Sequence, residues 1–90
     1  MEVTYSASKD AENIRKHGIS LARAKDFDMG PSANIYYDDS QDYGELRYHA
    51  VGWLDAKMYS FIFTFTDGVY RAISLRDASP QERKSYAEEN

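Results

Sequence analysis

Arginines gather near the C-terminal end of the sequence, where a strand pattern changes to a helix pattern. Arg71 and Arg76 belong to the segment RAISLR, and Glu82, Arg83 and Tyr86 follow in the helical segment that begins with SPQE. The planar guanidinium of arginine stays charged and binds phosphate oxygens in pairs. Because ligand contacts concentrate where a strand gives way to a loop, this corner is a candidate phosphate site.

Each of these residues also has a structural explanation. Glu82 stands at the third helical position of the capping-box pattern Ser79-Pro80-Gln81-Glu82, and capping alone would account for its carboxylate. Arg71 could be an edge residue paired with a nearby carboxylate. Tyr86 at helical spacing is typical of a core or lid position, and His49 in an alternating strand is typical of a buried or edge residue. These explanations stay open beside the functional one.

The first third of the chain predicts a short strand and two short helices. Residues 2–5 are β-prone, Ser6 or Ser8 can cap a helix that runs to about His17, and Gly18 is the expected left-handed stop. A second, brief helix follows. Helical spacing predicts which side chains face inward. They are Ala7, Ala11 and Ile14 in the first helix and Leu21, Ala24 and Phe27 in the second.

From Asn34 onward the pattern changes to four strands, NIYYD, LRYHAVGW, MYSFIFTFT and VYRAISLR, with the polar loop DDSQDYGE after the first. Asp67-Gly68 predicts a two-residue type I′ turn, so that Thr66 pairs with Val69 and Thr64 with Arg71. Regular alternation then places on one face the residues Phe61, Phe63, Phe65, Tyr70, Ala72, Ser74 and Arg76. With a final helix of about ten residues after the capping box, the order predicts an α+β fold. It has two short N-terminal helices, a four-stranded, mainly antiparallel sheet besides the short N-terminal strand, and a C-terminal helix.

The composition limits the kinds of partner and site. The 90 residues carry a net charge of −4, and residues 26–70 hold eight acids against two bases, so nonspecific binding of nucleic acid is disfavoured over most of the surface. The absence of cysteine excludes disulfides and thiolate metal sites and agrees with a cytoplasmic location. His17 and His49 have no ligand-like spacing, and no apolar run reaches the thickness of a bilayer. We therefore expect a single domain over residues 1–90, with no metal, cofactor or membrane contact.

Several segments together resemble the BrnT family, the toxins of a type II toxin–antitoxin system with a RelE-like ribonuclease fold. They are NIRKHGIS, DDSQDYGELRYHAVGWLD and RAISLRDASPQERKSY, which occur in the family's order between Tyr5 and Tyr86. The resemblance is specific in the Lys16-His17-Gly18 turn, the Tyr43-Gly44-Glu45 loop and the series Arg71, Ser74, Arg76, Glu82, Arg83 and Tyr86.

The resemblance implies metal-independent cleavage of RNA, growth arrest, and neutralisation by a small, basic, DNA-binding antitoxin. Such cleavage needs a group that accepts the 2′-hydroxyl proton, a group that protonates the leaving oxygen, and cations that stabilise the phosphorane. The resemblance assigns the catalytic roles to Arg71, Arg76, Glu82 and Tyr86. The basic side chains that could bind or guide RNA are Arg47, Arg83, Lys9 and Lys16. A homodimer or a toxin–antitoxin heterotetramer is a permitted assembly.

Three departures from the family pattern remove positive or polar groups near the expected site. Tyr5-Ser6 stands where family members carry tryptophan-aspartate, Thr66 runs directly into Asp67-Gly68 without the usual arginine, and Asp77 replaces a basic residue. The alternative hypothesis is therefore a catalytically lapsed relative, whose acidic surface inhibits a nucleic-acid-binding partner.

Overall fold

A computed structural model of the chain describes residues 1–30, 33–38 and 46–90. The elements are strand β1 (Glu2–Thr4), helix α1 (Ala7–His17), a 3₁₀ helix (Leu21–Asp26), strands β2 (Asn34–Asp38), β3 (Arg47–Leu54), β4 (Lys57–Thr66) and β5 (Val69–Asp77), and helix α2 (Pro80–Glu89). The predicted α+β class is confirmed. The polar loop after β2 and the Tyr43-Gly44-Glu45 motif lie outside the described residues.

The five strands form one mixed sheet in the order β1-β5-β4-β3-β2. The neighbours from β5 to β2 are antiparallel, as predicted, whereas β1 runs parallel to β5 through the pairs Glu2–Val69, Val3–Tyr70 and Thr4–Arg71. The prediction of a four-stranded sheet was therefore incomplete. The N-terminal strand satisfies its backbone groups by joining the sheet at the edge of β5.

The hairpin between β4 and β5 has the predicted turn. Asp67 and Gly68 have positive φ values of 53° and 80°, as both central residues of a type I′ turn require. The register that this turn sets is confirmed by the pairs Thr66–Val69 and Thr64–Arg71.

A β-bulge in β5 overturns the predicted faces in the second half of that strand. The register shifts between Ile62 and Phe63, which leaves Ile73 as an extra residue of β5. An extra residue reverses the alternation, so Arg76 lies on the same face as Arg71 and not, as predicted, with the phenylalanines of β4. The same correction applies to Ser74.

Hydrophobic clusters cover both faces of the sheet. The larger cluster lies beneath the 3₁₀ helix and comprises Leu21, Ala24, Phe27, Ala50, Leu54, Phe61, Phe63, Ala72 and Leu75. The smaller one joins α2 to the opposite face and comprises Val51, Met58, Ala78 and Tyr86. The second predicted helix is thus a 3₁₀ helix, and its predicted inward residues are confirmed.

Helix α1 has the predicted ends but turns a different side inward. Ser6 caps its start, and Gly18 ends it with a φ of 72°. The residues predicted to face inward, Ala7, Ala11 and Ile14, are all exposed. The buried residue is Asn13, 4% exposed, whose amide donates to the carbonyls of Leu75 at 2.8 Å and Ile19 at 2.9 Å. The inner side of α1 is therefore held by hydrogen bonds, which apolar spacing does not reveal.

Candidate functional site

One face of the sheet carries basic side chains from two strands, and we call it the arginine face. It presents Arg47 and His49 from β3 and Arg71 and Arg76 from β5. Arg71 pairs with Thr64 of β4, and Arg76 pairs with Ser60, four residues further along. Because a strand rises about 3.4 Å per residue, the two arginines stand in rows roughly 13 Å apart. The bulge in β5 is what places both on one face.

The row of Arg71 borders a cleft of about 140 Å³, which we call the cation cleft. Its basic groups come from three elements: Lys9 from the start of α1, Arg47 from the start of β3 and Arg71 from β5. The complete lining is Ser6, Lys9, Arg47, Arg71, Ala72 and Ile73. Convergent cations beside a hydroxyl make the cleft suited to a phosphate group.

The row of Arg76 holds an arginine that is paired within the fold. Arg76 donates from Nη1 to Oε1 of Glu82 at 2.8 Å and from Nη2 to Oε2 at 2.9 Å. Glu82 also accepts from the backbone N–H of Ser79 at 2.8 Å, and the Ser79 hydroxyl accepts from the backbone N–H of Glu82 at 3.1 Å. The predicted capping box is confirmed, and the same carboxylate fixes Arg76 against the first turn of α2.

The electrostatic surroundings keep Glu82 ionised. Burial alone would raise the pKa of its carboxyl group, but the hydrogen bonds from Arg76 and Ser79, with the charges of Arg76 and His49, lower the pKa to about 2. The carboxylate is therefore a permanent negative charge at physiological pH.

His49 connects this carboxylate to β4. Its Nε2 atom lies 3.2 Å from Oε2 of Glu82 and 2.5 Å from the hydroxyl oxygen of Ser60. The side chain of His49 is 24% exposed, so the ring is anchored but still reaches solvent. Beside it opens a pocket of about 270 Å³ lined by His49, Val51, Gln81, Glu82, Ser85 and Glu89. We call the set His49, Ser60, Arg76 and Glu82 the polar network.

Three predicted site residues belong to neither the cation cleft nor the polar network. Tyr86 is 8% exposed and belongs to the small cluster beneath α2. Arg83 donates to the carbonyl of Ala78 at 2.6 Å, and Lys16 forms an ion pair with Glu12 at 2.7 Å on α1. The structure therefore brings together Lys9, Arg47 and Arg71 in the cation cleft, and separately Arg76 and Glu82 in the polar network.

The polar network also contains residues that the sequence did not single out. His49 was given a structural interpretation, although it follows Arg47 by two residues and must share its face of the strand. That spacing was the available signal. Ser60 carries no comparable signal, because its partner reaches it from the neighbouring strand.

Among the residues that the structure describes, no group of His, Asp and Glu side chains gathers as a metal site requires. Within the same part of the chain, no helix is both long and apolar enough to cross a membrane.

The fold is an α+β fold with one mixed sheet. On one face of that sheet lies a cation cleft whose charge suits a phosphate group. Residues 5–82 match the family model described as "Ribonuclease toxin, BrnT, of type II toxin-antitoxin system", and the chain belongs to this family. The resemblance inferred from the sequence is thereby confirmed, and membership implies an RNA target and an antitoxin partner. No curated protein matches the chain.

Proposed function

We propose that the chain is a cytoplasmic ribonuclease toxin, a single RelE-like domain over residues 1–90, that cleaves RNA without a metal ion. The observation that supports this most is the cation cleft. Lys9, Arg47 and Arg71 converge on one opening of a chain whose net charge is −4. A local cluster of this kind attracts a phosphate backbone although the molecule as a whole is acidic.

Arg47 and Arg71 are the groups that hold the scissile phosphate in this proposal. Arg47 comes from β3 and Arg71 from β5, the strands on either side of β4, and both line the same cleft. A guanidinium fork donates two parallel hydrogen bonds to phosphate oxygens, and these bonds strengthen as negative charge develops in the phosphorane. Lys9 supplies a further positive charge for a neighbouring phosphate.

The remaining candidates keep their sequence-based roles as predictions. Arg76 and Glu82 act from the polar network, where each holds the other in position. The burial of Tyr86 favours a packing role over direct contact with RNA. Arg83 and Lys16 are exposed cations that would guide RNA from outside the cleft.

The antitoxin of this proposal is a small basic DNA-binding protein that assembles with the toxin, for example as a heterotetramer. The net charge of −4 and the pI of about 5.0 support a basic partner. Complementary charge accelerates the encounter of two proteins, which suits an inhibitor that must bind before RNA is cut.

Induction of the chain alone in a bacterium tests the proposal. We expect growth arrest with the parent and normal growth with a folded Arg47→Ala/Arg71→Ala variant. Arg23→Ala is the matched control, because Arg23 lies on the 3₁₀ helix and pairs with Asp55, on the other side of the sheet. Purified protein should cleave RNA equally well in excess EDTA. Normal growth with abundant folded parent would contradict the proposal.

A lapsed, inhibitory relative is the second candidate function. The observation that favours it is the pairing of Arg76 with Glu82, which neutralises one of the predicted phosphate clamps within the fold. In this case the folded parent should neither arrest growth nor bind single-stranded RNA. It should instead retain a basic nucleic-acid-binding protein in a salt-sensitive complex.

A further inference from the structure

His49 is the member of the polar network that shares a strand with Arg47 of the cation cleft. It follows Arg47 by two residues along β3, a rise of roughly 7 Å, and it pairs with Ile62 of β4. A phosphate held by Arg47 and Arg71 would therefore place the adjoining ribose within reach of the imidazole. The ring is partly exposed on this side of the sheet.

The contacts of His49 are similar to those of histidines that act as a general acid or base. Nε2 lies 3.2 Å from the Glu82 carboxylate, and that carboxylate is itself held by two hydrogen bonds from Arg76. A carboxylate beside an imidazole fixes the ring orientation and stabilises the imidazolium that forms when the ring accepts a proton. Ser60, buried in β4, fixes the ring from below.

We propose that His49 is the general base of RNA cleavage, an assignment that rests on the proposed ribonuclease function. Since Nε2 faces Glu82 and Ser60, His49 accepts the proton of the 2′-hydroxyl group on Nδ1 while O2′ attacks phosphorus. The O2′–P bond forms and the P–O5′ bond breaks, with its electron pair leaving on O5′. O5′ takes up a proton from water, and the imidazolium later returns its proton to solvent. The products are a 2′,3′-cyclic phosphate and a 5′-hydroxyl end.

The charged groups around the ring have opposing effects. Glu82 from α2 favours the imidazolium, and Glu89 lines the same pocket. Arg76 from β5 and Arg47 from the same strand oppose it. Arg76 and Glu82 neutralise each other as an ion pair. The member of that pair in contact with the ring is the carboxylate, whose Oε2 lies 3.2 Å from Nε2. Its pKa of about 2 keeps this charge present over the whole range in which a histidine titrates.

Cleavage of a labelled RNA pool of random sequence, followed between pH 5 and 9, tests the assignment. At low pH the logarithm of the parent's kcat/KM should rise with pH with a slope of about 1, as expected for a base that must lose its proton. His49→Gln should reduce kcat/KM by about a hundredfold to ten-thousandfold and abolish that rise. His17→Gln is the matched control, because the other histidine is exposed at the end of α1, and it should behave like the parent.

Chemical rescue separates a catalytic role from a structural one. Added imidazole should restore part of the activity of His49→Ala. It would not restore activity if the substitution acted by displacing α2, which His49 contacts through Glu82. A folded His49→Gln variant that keeps the parent's rate and pH profile would overturn the assignment and leave the proposed function intact. A slower variant with an unchanged pH profile and no rescue would also overturn it. Failure of the parent itself to cleave RNA would instead contradict the proposed function.

Discussion

At the scale of single residues, Glu82 links three parts of the molecule. Its carboxylate caps α2 through Ser79, holds Arg76 of β5, and lies beside His49 of β3. A carboxyl group whose pKa is lowered on folding stabilises the folded state at pH values above its ordinary pKa of 4.5. That contribution is lost as the pH falls from 4.5 towards about 2.

Glu82→Gln should remove this contribution while keeping the cap, since glutamine also serves at the third position of a capping box. We expect a loss of about 1–2 kcal/mol at pH 7, less than the full linkage value because solvent screens part of the charge. Urea unfolding at a series of pH values measures it. The difference between parent and variant should narrow below pH 4.5. Glu88→Gln, an exposed change on the same helix, is the control, and a gap that stays constant with pH would rule out this origin.

At the scale of secondary structure, Asn13 completes an edge that β1 leaves uncovered. The pairing of β1 with β5 ends at Thr4 and Arg71, and further along β5 the side chain of Asn13 bonds both backbone groups of Leu75. Without Asn13, the backbone N–H and C=O groups of Leu75 would be buried beneath α1 without partners or would be available to pair with another strand. An amide suits this position because it donates and accepts at once.

Asn13→Ala should therefore cost about 2–4 kcal/mol, because it leaves buried backbone groups without partners. Chemical denaturation of the purified protein measures the loss. Ile14→Ala is the control: Ile14 is 48% exposed, and its replacement should change stability by less than about 1 kcal/mol. A larger loss of stability in Ile14→Ala than in Asn13→Ala would contradict this account. It would support the inward side of α1 that helical spacing predicted.

The helix ends and the tight turn could be predicted from the sequence because each depends on a few adjacent residues, such as Ser79 with Glu82 or Asp67 with Gly68. The bulge and the burial of Asn13 could not. The extra residue Ile73 becomes visible only against the register of β4, and Asn13 meets Leu75 across 62 positions of the chain. The cation cleft was predicted only as a set of residue types, since Lys9, Arg47 and Arg71 come from distant parts of the chain. The arginine face was not predicted, since regular alternation placed Arg71 and Arg76 on opposite faces.

At the scale of the whole molecule, the cation cleft gathers positive charge on a chain that is acidic as a whole. Three cations line the cation cleft, and the net charge is −4. Binding of a single strand releases counterions in proportion to the phosphates that are neutralised. The number of contacts can therefore be read from the salt dependence of binding.

For an RNA whose 2′-hydroxyls are methylated, so that it binds without being cut, the logarithm of the binding constant should fall with the logarithm of salt concentration with a slope of about −2. Arg71→Ala should reduce the slope to about −1.4, whereas Arg23→Ala should leave it unchanged. Fluorescence anisotropy at several salt concentrations measures both. A parent slope near zero would show that the cleft does not contact phosphates.

The parallel pairing of β1 with β5 also determines how late in synthesis the cation cleft can form. Thr4 and Arg71 are neighbours in the sheet, yet roughly 3 to 13 s separate their synthesis at ordinary translation rates. The cation cleft needs Lys9 from the first helix and Arg71 from the last strand. It therefore cannot assemble until nearly the whole chain has left the ribosome. We expect the nascent protein to be inert towards RNA, which gives an antitoxin already present in the cell the first opportunity to bind.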